Sequence, residues 1–270
     1  MLDLITVVWG DQYAQLYCDA GLRSLMQPDN IPAVADSIGE YTFFADEQAR
    51  RTIEGQLAYR EMARKIYVEW RALYYGDREV NSYILDSMKR SLGVHLFSFP
   101  ADIALSNGSL KNIVKLSKDY ELIVYGFPKI TVDGWGVLVN RFRKLGVLDS
   151  RKMVAIWSIH DAGSPIDIKK VEPDIWRLAH HTPTPIMKID QKVIDFFELN
   201  DTSNQGYDHC IPIWMIENGY SWYLVRDSDE VFQLEGGGES WENRRNNHWM
   251  LDYIDKATKF FRAQEEVWHA

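Results

Sequence analysis

Short-linked alternation of strand and helix runs through the first half of this chain, and it leaves few folds open. Leu4-Ile5-Thr6-Val7-Val8-Trp9 is a continuous, largely β-branched run that ends in Gly10-Asp11, the form of a buried parallel strand passing into a loop. Tyr13, Leu16, Tyr17, Leu22 and Leu25 then follow helical spacing until Pro28, so a helix follows at once. Tyr41-Thr42-Phe43-Phe44 repeats the move, and Asp46 is placed to cap a helix from Glu47. Ile53, Leu57, Ala63, Ile66, Trp70 and Leu73 extend that helix as one long amphipathic element. A further helix through Val80, Ile84, Met88 and Leu92 stops at Gly93, and Pro100 closes the strand at 94–99. Ser109 opens the next helix, and a strand follows at 121–125. The pattern predicts an α/β fold with a mostly parallel central sheet flanked by helices, whose ligands lie beyond the carboxyl ends of the strands. The positions of interest are therefore 9–13, 44–47 and 100–109.

After Gly134 the texture changes. Helical patterns at 137–145 and 150–159 give way to a stretch at 161–185 with four prolines and the adjacent His180 and His181, which reads as a loop excursion over a site. Strands at 220–225 and 231–234, a glycine joint at 236–238 and a terminal helix at 241–268 complete the reading. A length of 270 residues suits one domain. Residues 1–130 form its ligand-binding half, and 131–270 form the second half with a C-terminal helix. A net charge of −9 excludes general nucleic-acid binding, which needs many Lys and Arg contacts to phosphate. Cys18 and Cys210 stand among apolar neighbours and read as buried thiols in a reducing compartment. With no basic leader and no stretch of membrane-spanning length, the expected location is cytoplasmic, without a transmembrane segment.

Several residues carry the chemistry expected at the strand ends. Asp102 stands at the tip of a central strand, in Pro100-Ala101-Asp102-Ile103, where a carboxylate can hold a divalent cation that neutralises a diphosphate. The helix leading to that strand ends in Lys89-Arg90, and Lys89 joins the candidate ligand contacts. Ser106-Asn107-Gly108-Ser109 offers Asn107, backbone N–H groups and a helix N-terminus to oxyanions or hydroxyls. Gly10 lets a nucleotide approach the backbone, and Trp9 or Tyr13 can stack on a base. Asp208 beside His209, at the start of a helix, suits a general base that deprotonates a hydroxyl. Asp227-Ser228-Asp229 reads first as a turn between strands; with His160, Asp161, His180 and His181 it is the alternative seat of a metal site.

Taken in order, Ile5-Thr6-Val7-Val8-Trp9-Gly10, Ser24-Leu25, Pro28-Asp29-Asn30-Ile31-Pro32 and Tyr41-Thr42 resemble the start of a GT-A-type glycosyltransferase. The stretch from Gly93 through Pro100-Ala101-Asp102 to Ser109 resembles the approach to that family's metal-binding Asp-x-Asp. The resemblance implies a nucleoside-diphosphate sugar donor, a hydroxyl acceptor on a glycan, and Mn²⁺ or Mg²⁺. It places Trp9, Gly10 and Tyr13 on the nucleotide and Asp102 on the metal. Pro100 stands where the motif has its first acid, which puts metal dependence in doubt. That departure keeps open a nucleotide- or glycan-binding protein of the same fold without catalysis, with a metal-dependent hydrolase as the third reading.

Overall fold

A computed structural model of the chain describes residues 1–73, 80–126, 128–162, 167–172, 175–179, 183–199, 207–236 and 265–269. β1 (Leu2–Val8) pairs in parallel with β2 (Ile38–Ala45) on one side and β4 (His95–Ser98) on the other. β3 (Val68–Ala72) extends the sheet beyond β2, again in parallel. Beyond β4 lie β10 (Pro183–Lys188), β6 (Leu122–Gly126) and β11 (Trp222–Leu224), giving the order β11-β6-β10-β4-β1-β2-β3. Only β10 runs against its neighbours.

Side chains alternate across this sheet, as the pleat requires. Leu4, Val8, Phe43 and Phe97 enter one core, beneath α1 (Gly10–Leu16), α2 (Leu22–Leu25), α3 (Ile31–Val34), α4 (Glu47–Glu54), α5 (Leu57–Ala63) and α7 (Ser109–Leu116). Ile5, Phe44 and Leu96 enter the other, beneath α6 (Val80–Arg90), α10 (Gln191–Leu199) and α11 (Tyr207–Glu217). A π-helical turn, Tyr17–Gly21, follows α1 and sinks Tyr17 into the first core. There its hydroxyl meets Tyr41 Oη at 3.0 Å, and Tyr41 Oη lies 2.7 Å from Thr6 Oγ1. Cys18 and Cys210 are both buried thiols, and burial pushes the Cys18 thiol up to about 12.

A small second sheet crosses the carboxyl rim of the first. β5 (Ile103–Leu105) follows β4, β7 (Lys129–Ile130) follows β6, and β12 (Gln233–Gly236), which comes after β11, lies between them. α8 (Val132–Leu145) and α9 (Ser150–His160) cover it through Trp135, Phe142 and Trp157. A third sheet pairs β8 (Asp167–Glu172) and β9 (Ile175–Ala179) with β13 (Glu265–His269).

Three elements differ from the sequence reading. The long helix after Glu47 is broken at Gly55, and its last third is the strand β3. Val68 and Trp70 pack on the core while Glu69 lies against Arg71 and Arg90, so a half-covered edge strand imitated an amphipathic helix. The excursion at 161–185 contains β8, β9 and the start of β10. Pro183 and Pro185 sit in β10 where only β6 is paired, since pairing with β4 begins at Ile186; there their missing N–H groups break no ladder. The strands expected at 220–225 and 231–234 are present as β11 and β12, which fall in different sheets. The end of the expected terminal helix is the strand β13, and residues 241–264 lie outside the described residues.

Candidate functional site

Because β1, β2 and β4 are parallel neighbours, the residues after Val8, Ala45 and Ser98 leave the sheet at one rim. Trp9 leaves β1 in an extended conformation, and Gly10 turns the chain into α1 at a φ of 64°, a left-handed value that favours glycine. The Gly10 N–H donates to Asp46 Oδ2 at 2.7 Å, while Asp46 Oδ1 accepts from the Ala49 N–H at 2.7 Å. Asp46 therefore caps α4, as its position suggested, and also ties the β1 loop to the tip of β2. The sequence showed the cap; the tie depends on the parallel register of β1 and β2 and was missed. Trp9 is half-buried, Tyr13 is exposed, and their rings lie 5.0 Å apart at 46°. The two aromatic faces thus stand together beside the backbone glycine.

Asp102 follows β4 on the same rim and is partly accessible. Its carbonyl accepts from the Gly236 N–H at 2.8 Å, anchoring it beneath β12. Burial, then the neighbouring Glu235 carboxylate, raise the Asp102 pKa to about 7, against the pull of Lys129. Lys129 Nζ in turn donates to Glu235 Oε1 at 2.6 Å. Sequence reasoning had no access to this trio, since its members come from the turn before β5, from β12 and from β7. A divalent cation at a phosphate site is held by one or two carboxylates together with the substrate's own phosphates. Pro100 supplies none, and Glu235 is already matched to an ammonium, so of these groups Asp102 alone is left for the Mn²⁺ or Mg²⁺ expected there.

Two of the expected nucleotide contacts are placed otherwise. α6 returns the chain from the carboxyl end of β3 to the amino end of β4, where His95 stands opposite Leu2. Lys89 is thus on the far rim, paired with Glu198 at 2.6 Å, and the adjacent Arg90 lies against Glu40 and Glu69 near the starts of β2 and β3. This corrects its assignment. Asn107 is at the right end of the fold, but its side chain accepts from the Asp29 N–H and donates to Asp29 Oδ2, each at 3.0 Å. The N-terminus of α7, expected to receive an oxyanion, is filled by Asn30 Oδ1, which accepts from the N–H groups of Gly108 and Leu110. An Asn on the Pro28–Ile31 loop thus takes the part given to a ligand.

Tyr207, Asp208 and His209 open α11, whose far end leads into the amino end of β11. The start of α11 is therefore at the carboxyl rim with Trp9 and Asp102, while the side chains of Asp208 and His209 lie outside the described residues. His180 and His181 lie outside them too. His160 and Asp161 are tied down locally: the His160 carbonyl accepts from the Thr131 N–H, and Asp161 Oδ1 accepts from Trp157 Nε1 at 3.1 Å. Asp227 and Asp229 do meet a histidine, but it is His269, with ligand atoms within 4.8 Å of one another. Asp229 is already held by Ser150 Oγ at 2.6 Å and by Arg151 at 3.0 Å, and these contacts hold its pKa below the usual carboxylate value.

No family model and no curated protein sequence matches the chain. Solved structures do. A fragment of S. aureus TarS, residues 1–349, superimposes with a TM-score of 0.50 at 12% identity, covering 87% of this chain and 60% of that one. The same fragment in complex with UDP-GlcNAc gives 0.50 and 12%, covering 95% and 65%. A structure of longer TarS gives 0.50 and 13%, covering 87% and 36%. TarS is a GT-A glycosyltransferase, and at this identity the likeness establishes a GT-A-like fold. The chain spans less than two thirds of the length of these TarS structures.

Proposed function

We propose that this chain is a transferase that moves a sugar from a nucleoside-diphosphate donor to a hydroxyl of a glycan acceptor. The observation that carries the reading is the tie between Gly10 N and Asp46 Oδ2. It closes the β1 and β2 tips into one lip, on the rim where Asp102 follows β4. The UDP-GlcNAc bound by the TarS fragment of the same fold supports a donor of that class. Trp9 and Tyr13 offer their faces to the base, and Gly10 admits the nucleotide to the backbone. The diphosphate extends toward Asp102 and its neighbours, and the acceptor approaches from the side on which α11 begins.

In the reaction, the acceptor hydroxyl gives its proton to the Asp208 carboxylate, and its oxygen forms a bond to the anomeric carbon. The bond from that carbon to the diphosphate oxygen breaks, and the electron pair leaves with the nucleoside diphosphate. Positioning and charge neutralisation of the leaving group supply most of the acceleration. The arrangement of Asp227 and Asp229 favours the transferase over a hydrolase built on them, since Arg151 and Ser150 already hold Asp229.

Mass-spectrometric turnover assays with a panel of nucleoside-diphosphate sugars and glycan acceptors test the proposal. Transfer is expected with at least one pair, and Asp208→Asn is expected to lower kcat about 10²- to 10⁴-fold with nucleotide affinity retained. Nucleotide binding without turnover would instead identify a non-catalytic binding protein, and no nucleotide binding would remove the reading altogether.

A further inference from the structure

The trio at the carboxyl rim contains a cation of its own. Lys129 and Glu235 stand directly opposite each other in the parallel pairing of β7 with β12. Their 2.6 Å contact is mostly closed off from solvent, with the two side chains 11% and 18% exposed. On its other side β12 pairs with β5, setting Glu235 against Ile103, the residue after Asp102. Two backbone ladders, β7 with β12 and β12 with β5, thus hold one ammonium beside two carboxylates at the carboxyl rim. A divalent cation entering there meets a fixed positive charge and competes for an oxygen already hydrogen-bonded. Pro100 removes the alternative donor on the strand itself.

We infer that Lys129 is the resident cation of this site and that the nucleoside diphosphate is bound there without a divalent metal ion. The inference rests on the transferase reading and specifies how that site balances charge. An ammonium on a β-strand provides the electrostatic service that a metal provides elsewhere, offsetting the charge that gathers on a departing diphosphate. Removing it converts the site: Asp102 and Glu235 are left as neighbouring carboxylates, a pair that attracts a divalent ion.

Calorimetric titration of the full chain with UDP, GDP, CDP, TDP and ADP, in EDTA and again in Mn²⁺ or Mg²⁺ at equal ionic strength, tests this. For the nucleotide that binds wild type, the two affinities are expected to agree within about threefold, a difference of no more than about 0.65 kcal/mol. Lys129→Gln is expected to lose about tenfold or more in EDTA and to recover with Mn²⁺, while Lys129→Arg keeps binding in EDTA. A wild-type affinity that rises tenfold or more with Mn²⁺, by ~1.4 kcal/mol or more, overturns the inference while leaving the transferase reading intact. So does Lys129→Gln binding like wild type in EDTA. Failure of every nucleotide under both conditions strikes the transferase reading instead. If Lys129→Gln shows no cooperative melting transition, the paired wild-type titrations decide alone.

Discussion

Asp102 shows how a side chain of ordinary type acquires its properties from partners distant in sequence. Burial and the Glu235 carboxylate hold its pKa near 7, while Lys129 pulls it down. An acid whose pKa is raised on folding favours the folded state while protonated. Its contribution is complete below the ordinary carboxylate range and is lost as pH rises through about 7. Asp102→Asn removes that loss, so the variant is expected to gain stability relative to wild type between about pH 5 and about pH 8. Thermal denaturation of both proteins across that range checks the sign; parallel profiles would show that Asp102 ionises as an exposed carboxylate does. At the same scale, Asp102 was legible as a strand-tip carboxylate, but Glu235 and Lys129 were not, because residues 129 and 235 meet only through the pairing of β7 with β12.

Among the elements, α4 and β1 are coupled through Asp46. Its two carboxylate oxygens serve the Ala49 and Gly10 N–H groups, so one substitution affects both a helix end and the loop that leaves β1. Asp46→Ala is expected to cost about 1 kcal/mol of stability through the lost cap and also to weaken nucleotide binding. A melting curve with a nucleotide titration separates the two effects; lowered stability with unchanged affinity would mean that Asp46 acts on α4 alone. The alternating elements of the first half were legible in the sequence because each buried strand and capped helix carries its own local signal. The failures came where tertiary context decides. The apolar spacing of Ile66, Trp70 and Leu73 imitated a helix in what became an edge strand and its exit. Pro183 and Pro185 disguised β10, a strand with neighbours on both sides, since a proline signals a loop until the unpaired stretch of its neighbour is known. Lys89 was assigned by proximity in sequence to the Asp102 strand, but α6 crosses the whole sheet before that strand begins.

At the scale of the molecule, parallel pairing brings Trp9, Gly10, Asp46 and Asp102 to one rim, while three short strands extend the chain across it. Among the described residues no helix is long and apolar enough to cross a membrane. The GT-A-like order of the sheet is a property of the whole chain, and its functional meaning depends on whether that rim holds a nucleotide. A crystal structure of the chain with the tightest-binding nucleoside diphosphate tests this most directly. The account predicts the base against Trp9 and Tyr13, the ribose beside Gly10 and Asp46, and the diphosphate running toward Asp102 and Lys129. Density for the nucleotide at the amino rim, or at the Asp227 and Asp229 turn with none beside Trp9 and Asp102, would contradict it.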